Sequence, residues 1–228
     1  MRFSFLIAPA LVCAFSLTGF AATNGIDAVL ARMDQSAAKF NALSANLRRV
    51  SFTAVLNETT SESGTILIRR PKPRDIQMLV EIREPDQKSV SYMNRKWQIF
   101  YPKINTVQEY DLGKQGALVD QALLLGFGTS TPELLRHYDV KYIGEDVVEG
   151  APASRLELIP KSKEARQHIA RVELWISEQG HPVQQKIHQP SKDYYLITYS
   201  DIKLNPSLTA ESVKLKLPKN VKKEYPQR

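Results

Sequence analysis

The chain has 228 residues, one cysteine, 43% hydrophobic side chains and a formal net charge of +7, from 31 Lys and Arg against 24 Asp and Glu. That length and apolar share exclude a disordered chain or a disulfide-stapled miniprotein and suffice for one domain whose core packs without cross-links. Cations and acids alternate nearly throughout, so the charge reads as a solvated surface rather than a nucleic-acid or membrane patch; only the tail KLKLPKNVKKEYPQR is locally basic.

The opening residues, MRFSFLIAPALVCAFSLTGFA, place one arginine before an apolar run over 3–17 and end in small residues around Ala21 and Ala22. This is the layout of a cleaved export signal, and the run is too short to span a membrane. It predicts a signal peptide over 1–21, a single mature domain over 22–228, and a periplasmic location. Cys13 follows Val12, where lipoprotein processing needs a small side chain, so no lipid is expected on the chain and no cysteine in the mature protein. Losing Arg2 with the signal lowers the net charge by one, to +6.

Ile26, Val29, Leu30, Met33, Ala37 and Phe40 recur at three- and four-residue intervals behind a candidate N-cap, Asn24, and predict an amphipathic helix over 26–40. From Leu47 the period drops to two, with Val50, Phe52, Ala54 and Leu56 on one face. NETTSESG reads as a turn, after which Ile66 and Ile68, then Ile76, Met78, Val80 and Ile82, continue an antiparallel meander with one apolar face. Glu84-Pro85-Asp86-Gln87 and Asn94-Arg95 read as turns; Trp97, Ile99 and Tyr101 form a strand before Pro102, with Phe100 on its other face, and Thr106 to Tyr110 returns.

DLGKQGALVDQALLLGFGTSTPELLRHYD, residues 111–139, interrupts the strands. Leu118, Val119, Ala122, Leu123, Leu124 and Leu125 crowd a short helix that stops at Gly126, and Ser130 to Glu133 has capping-box spacing at a second start that carries Leu134 and Leu135. Strands then resume around Val140, Leu156, Val172, Val183, Tyr195 and finally Val213, Leu215 and Leu217. Two or three helices thus serve about ten strands. A sheet that long curls or closes, leaving an apolar hollow that either the helices or a ligand must fill.

Catalytic patterns are poor. His137, His168, His181 and His188 form no metal-binding pair, there is no GxSxG elbow, and GKQG lacks the Lys-Ser/Thr ending of a phosphate loop. Neither a metal nor a cofactor is expected, and Tyr194 and Tyr195 lack the pattern of an RNA-reading sheet.

The stretch SGTILIRRPKPRDIQMLVEIREPDQKSVSYMNRKWQIFYPKINTVQEYDL, residues 63–112, and more weakly VKLKLPKNVKKE, resembles LolA, the periplasmic carrier of outer-membrane lipoproteins, and its superfamily. The spacing from Gly64 through Arg70-Pro71 to Pro85-Asp86 and Tyr101-Pro102 carries the resemblance, whereas Ile76 stands where the family often has Trp, and Asn94-Arg95 where it often has Asp-Gly. The resemblance implies a mostly β fold with helices, an unclosed antiparallel half-barrel whose apolar hollow is covered by lid helices. It implies that Arg70 latches the lid through backbone carbonyls; Phe52, Ile66, Ile68, Ile76, Met78, Val80, Ile82, Trp97, Ile99 and Tyr101 are then the cavity wall. Leu118, Ala122, Leu125, Leu134 and Leu135 are the lid. The implied function is a non-enzymatic, monomeric carrier of acylated lipoprotein or lipid, served by an inner-membrane donor complex and an outer-membrane acceptor. The alternatives are a sensor of mislocalised lipoproteins, a carrier of another lipid, or an envelope hydrolase built on a cleft histidine.

Overall fold

A computed structural model of the chain describes residues 21–72, 75–113 and 116–226, and at 21–24, 117–118 and 121–122 the backbone alone. The expected export signal therefore lies outside the described residues up to residue 20. The helices are α1 (Ala21–Lys39), α2 (Gly116–Leu124), α3 (Thr131–His137) and the single turn α4 (Lys163–Arg166). The strands are β1 (Ala42–Thr53), β2 (Glu58–Lys72), β3 (Asp75–Glu84), β4 (Lys88–Met93), β5 (Lys96–Tyr101), β6 (Thr106–Asp111), β7 (Tyr138–Val148), β8 (Ala151–Pro160), β9 (Arg171–Ser177), β10 (Pro182–His188), β11 (Tyr194–Leu204) and β12 (Lys222–Glu224).

All twelve belong to one sheet in the order β12, β6, β5, β4, β3, β2, β1, β11, β10, β9, β8, β7. Every pairing is antiparallel except β12 on β6, and β12 and β7 remain separate edges, so the sheet is an open half-barrel. Gly64 is where β2 shifts register against β3: a Cβ there would lie 1.9 Å from the Glu81 carbonyl oxygen, so only glycine admits this close approach of two backbones.

Alternation along the strands separates two faces. Leu43, Ala45 and Leu47 of β1, Ile66 and Ile68 of β2, and Ile76, Met78 and Ile82 of β3 form an inner core with Tyr92, Tyr199, Phe40 and Phe127. On the other half of the same face α1 lays Val29, Leu30 and Met33 on Leu156, Leu158 and Leu174. The outer face of β2 to β6 is also covered: Leu79, Phe100 and Val107 pack under Val213 and Leu215. This explains the apolar run Met78-Leu79-Val80 in β3, whose two faces are both buried from Ile76 to Leu79.

Four local expectations are corrected. NETTSESG is not a turn but mostly strand: β2 starts at Glu58, and its Thr and Ser pair with β1 as Phe52 opposite Thr59 and Val50 opposite Ser61. The turn sits earlier, with Asn57 at φ 51. The segment around Val213, Leu215 and Leu217 is no strand: it lies across the outer face by side-chain packing, and only Lys222–Glu224 pairs with an edge. The chain is already helical at Ala21, the first described residue of α1 and three residues before the expected cap at Asn24. Ser130 has N-cap geometry but no side-chain capping bond; the adjacent Thr131 N–H donates instead to Asp34 Oδ1 of α1, at 2.6 Å.

Candidate functional site: an apolar cavity under a pinned lid

The inner face under α2 forms a partly open cavity of about 240 Å³. Its wall takes Ile66 and Ile68 from β2, Met78, Val80 and Ile82 from β3, and Trp97 from β5, all expected from the sequence. Sequence reasoning missed Leu47, Val90, Ile187, Ile197 and Tyr199 on the same wall, and Leu123, which roofs it from α2. The β10 and β11 contributions were recoverable only from pairing: β11, from the far end of the chain, lies beside β1 and sets Tyr199 opposite Leu47 and Ile197 opposite Arg49.

The remaining expected wall residues are placed elsewhere. Ile76 is buried in the same apolar core without lining the cavity. Ile99 and Tyr101 are half-buried on β5, Ile99 opposite the cavity residue Val90. Phe52 does not belong to the wall. It stacks on Tyr194 at 5.1 Å, on the outer face with Lys186 and His188, because the inner series of β1 runs Leu43, Ala45, Leu47, Arg49 and a residue three further on faces outward.

Polar bonds pin the lid at several points. Tyr92 Oη donates to Asp120 Oδ1 at 2.6 Å and lies 3.3 Å from the Gly116 carbonyl oxygen, at the start of α2. Gln185 Nε2, buried on β10, donates to the Leu125 carbonyl at 3.0 Å. Arg70 then grips the far end: Nη1 donates to the Gly128 carbonyl at 3.0 Å, and Nη2 to the carbonyls of Phe40 and, at 3.3 Å, Ala37. The acceptors come from the C-terminal end of α1 and the turn after α2, where backbone carbonyls lack helical partners and carry partial negative charge. The guanidinium also lies 5.4 Å from the Phe40 ring centre. Burial lowers its pKa, opposed by Glu133.

Gly128 makes this grip possible. A Cβ there would lie 2.9 Å from Arg70 Nη1 and 3.0 Å from Phe40. Between the pins, Phe127 is 1% exposed, edge-on to Tyr199 at 5.3 Å and 6.1 Å from Phe40. Burial raises the Tyr199 pKa, and burial with the Asp120 bond raises that of Tyr92, so both phenols stay neutral.

Of the expected lid residues, Leu125 and Leu134 are buried in the core beneath α1, whereas Leu135 is exposed to solvent. The side chains of Leu118 and Ala122, both on α2, lie outside the described residues.

Among the described residues, no group of three or more His, Cys, Asp or Glu is placed to hold a metal, and no helix is long and apolar enough to cross a membrane. His188 does pair with a carboxylate, Glu173 at 2.7 Å, but on the outer face.

Residues 127–223, less than half of the chain, match a family described as Predicted periplasmic protein (DUF2092). The curated proteins give no match. Among solved structures, an uncharacterized conserved protein from Thermus thermophilus is similar over 88% of this chain and 98% of its own, at 12% identity and TM-score 0.54. MucB is similar over 86% of this chain at 16% identity and TM-score 0.52, and the chain spans 64% of MucB's length. A LolA superfamily protein from Nitrosomonas europaea is similar over 83% of this chain and 97% of its own, at 14% identity and TM-score 0.42.

Proposed function

We propose that the protein is a periplasmic, non-enzymatic carrier that shields acyl chains of lipoproteins in this cavity, with Arg70 as latch and the segment 116–137 as lid. One observation carries the reading: an aliphatic cavity roofed by a segment that the sheet holds through polar pins, Tyr92 on Asp120, Gln185 on the Leu125 carbonyl and Arg70 on the Gly128 carbonyl. Each methylene withdrawn from water is worth about 0.8 kcal/mol, so acyl chains need such a shield to cross an aqueous compartment. Aliphatic walls hold by area, and Met78 adapts to irregular shapes. The export signal over 1–21 and the description of the matched family support the location.

A second reading, a carrier of another lipid, is favoured by cavity size. A site of about 150 Å³ already suits benzene, so about 240 Å³ accepts a stretch of one chain rather than several. Lipoprotein cargo therefore requires the lid to lift. The test incubates mature protein with energised inner-membrane vesicles carrying radiolabelled lipoprotein. A soluble one-to-one complex supports the carrier. Lipoprotein that stays on the vesicles while free lipid is extracted moves the assignment to the second reading.

A further inference from the structure

The cavity wall changes character at one end. Read along the paired strands, the inner positions are aliphatic through Leu47, Ile66 and Val80, and then become Arg49 on β1, Glu62 opposite it on β2, and Lys88 on β4 beside Ile82. These three side chains belong to the cavity lining and to one ion-pair chain, Arg49 to Glu62 Oε2 and Lys88 to Glu62 Oε1. Two cations on one carboxylate leave a net positive end wall. Glu62 accepts one bond from each, so most N–H donors of both cations remain available. Arg49 Nε differs from these: it is buried with no hydrogen-bond partner among the described residues, so an anion reaches it only if the side chain shifts.

We propose that this end wall is an anion-binding subsite, and that the cavity takes a single-chain amphiphile whose acidic headgroup sits on Arg49 and Lys88 while its chain runs toward Trp97 and Leu123. The inference rests on the acyl-chain reading above and adds to it the headgroup chemistry. A carboxylate or a phosphate supplies the acceptor; both compete with Glu62 for the same two cations. Glu62 thereby acts as the stand-in anion that keeps the cations paired when the cavity is empty, and its charge opposes ligand entry.

The test uses the full mature protein and three probes of one chain length, dodecanoate, dodecyl phosphate and neutral monododecanoylglycerol, titrated by calorimetry below their micellar concentrations. The acidic probes are expected to bind at least ~10-fold tighter than the neutral one. Whichever acid binds tighter names the source, fatty acid or lipid phosphate. Arg49→Gln and Lys88→Gln should each erase most of that preference, weakening the acids far more than the neutral probe. Glu62→Gln should tighten the acids alone, about threefold or more, a direction that a merely structural ion pair does not produce. Equal binding of acidic and neutral probes, or a Glu62→Gln variant that weakens all three alike while its circular dichroism stays native, overturns the subsite and leaves the carrier standing. Absence of binding by every probe overturns both.

Discussion

Arg70→Leu should loosen the lid without unfolding the sheet, and the size of the effect follows from its bonds. The guanidinium makes two well-formed hydrogen bonds to carbonyls, those of Gly128 and Phe40, and a longer one to Ala37. A charge-assisted hydrogen bond is worth roughly 1.5–3 kcal/mol, but Arg70 is only half-buried, so about 1 kcal/mol per good bond plus a few tenths for the Phe40 ring contact is the fair share. Only the Gly128 bond reaches the lid segment itself, since Phe40 and Ala37 lie at the end of α1, so the lid loses about 1 kcal/mol of its closing free energy, equivalent to opening about fivefold more often. Leucine cannot satisfy the abandoned carbonyls, which favours their exposure to water further. Hydrogen exchange by mass spectrometry on peptides spanning residues 123–129 should accelerate by that factor, while peptides of β8 and β9 keep wild-type protection. Unchanged exchange over 123–129 in a folded Arg70→Leu protein refutes the latch, whatever the variant does to transport.

Tyr92→Phe removes the hydroxyl that holds Asp120 and should cost about 1 kcal/mol of lid closure, read as roughly fivefold faster exchange over residues 116–124 with little change at 127–129. Val80→Trp should fill the cavity it lines: the protein folds with a melting midpoint a few degrees lower, from about 1–3 kcal/mol of overpacking, and loses acyl-probe binding at least ~10-fold. Acid should destabilise the fold in two stages. His181 and His188 sit below their ordinary value of 6.5, chiefly through burial, so their contribution is complete above that pH and is lost as the unfolded chain protonates beneath it. Burial pushes Glu173 up, but the bonds from Arg155 and His188 outweigh it and hold the carboxyl below 4.5, so its contribution fails only as pH falls under that value. A melting midpoint that is flat between about pH 7 and 9 and declines from about 6.5 downward fits this assignment; a rise on acidification from pH 7 contradicts it.

The long sheet with an apolar face was legible in the sequence because its inner positions recur at every second residue, whereas its form as an open half-barrel was legible only through the resemblance. Ile66 and Ile68, then Met78, Val80 and Ile82, announced both the strands and the wall. Arg70 was legible only through the resemblance, since an arginine beside another arginine before proline has no intrinsic signature of three carbonyl partners. Phe52 misled for a physical reason: β1 carries apolar residues in both phases, Leu43 to Leu47 in one and Val50 to Phe52 in the other, and an apolar count cannot tell which phase faces the cavity. The polar end wall was invisible because Arg49, Glu62 and Lys88 lie on three strands and meet only through register. The Val213 to Leu217 segment shows the converse: alternation there reflects packing on the outer face, and period two without a partner edge is no strand.

Occupancy of the cavity by acyl chains separates a carrier from a sheet whose helices are ordinary core. The most direct measurement is mass spectrometry of the mature protein purified natively from its own cell envelope, as the intact complex and as its organic extract. An acylated species should appear bound one to one and be lost in the Val80→Trp protein. A reproducibly empty protein whose mass and stability are untouched by added amphiphiles contradicts that occupancy and leaves the helices as ordinary core.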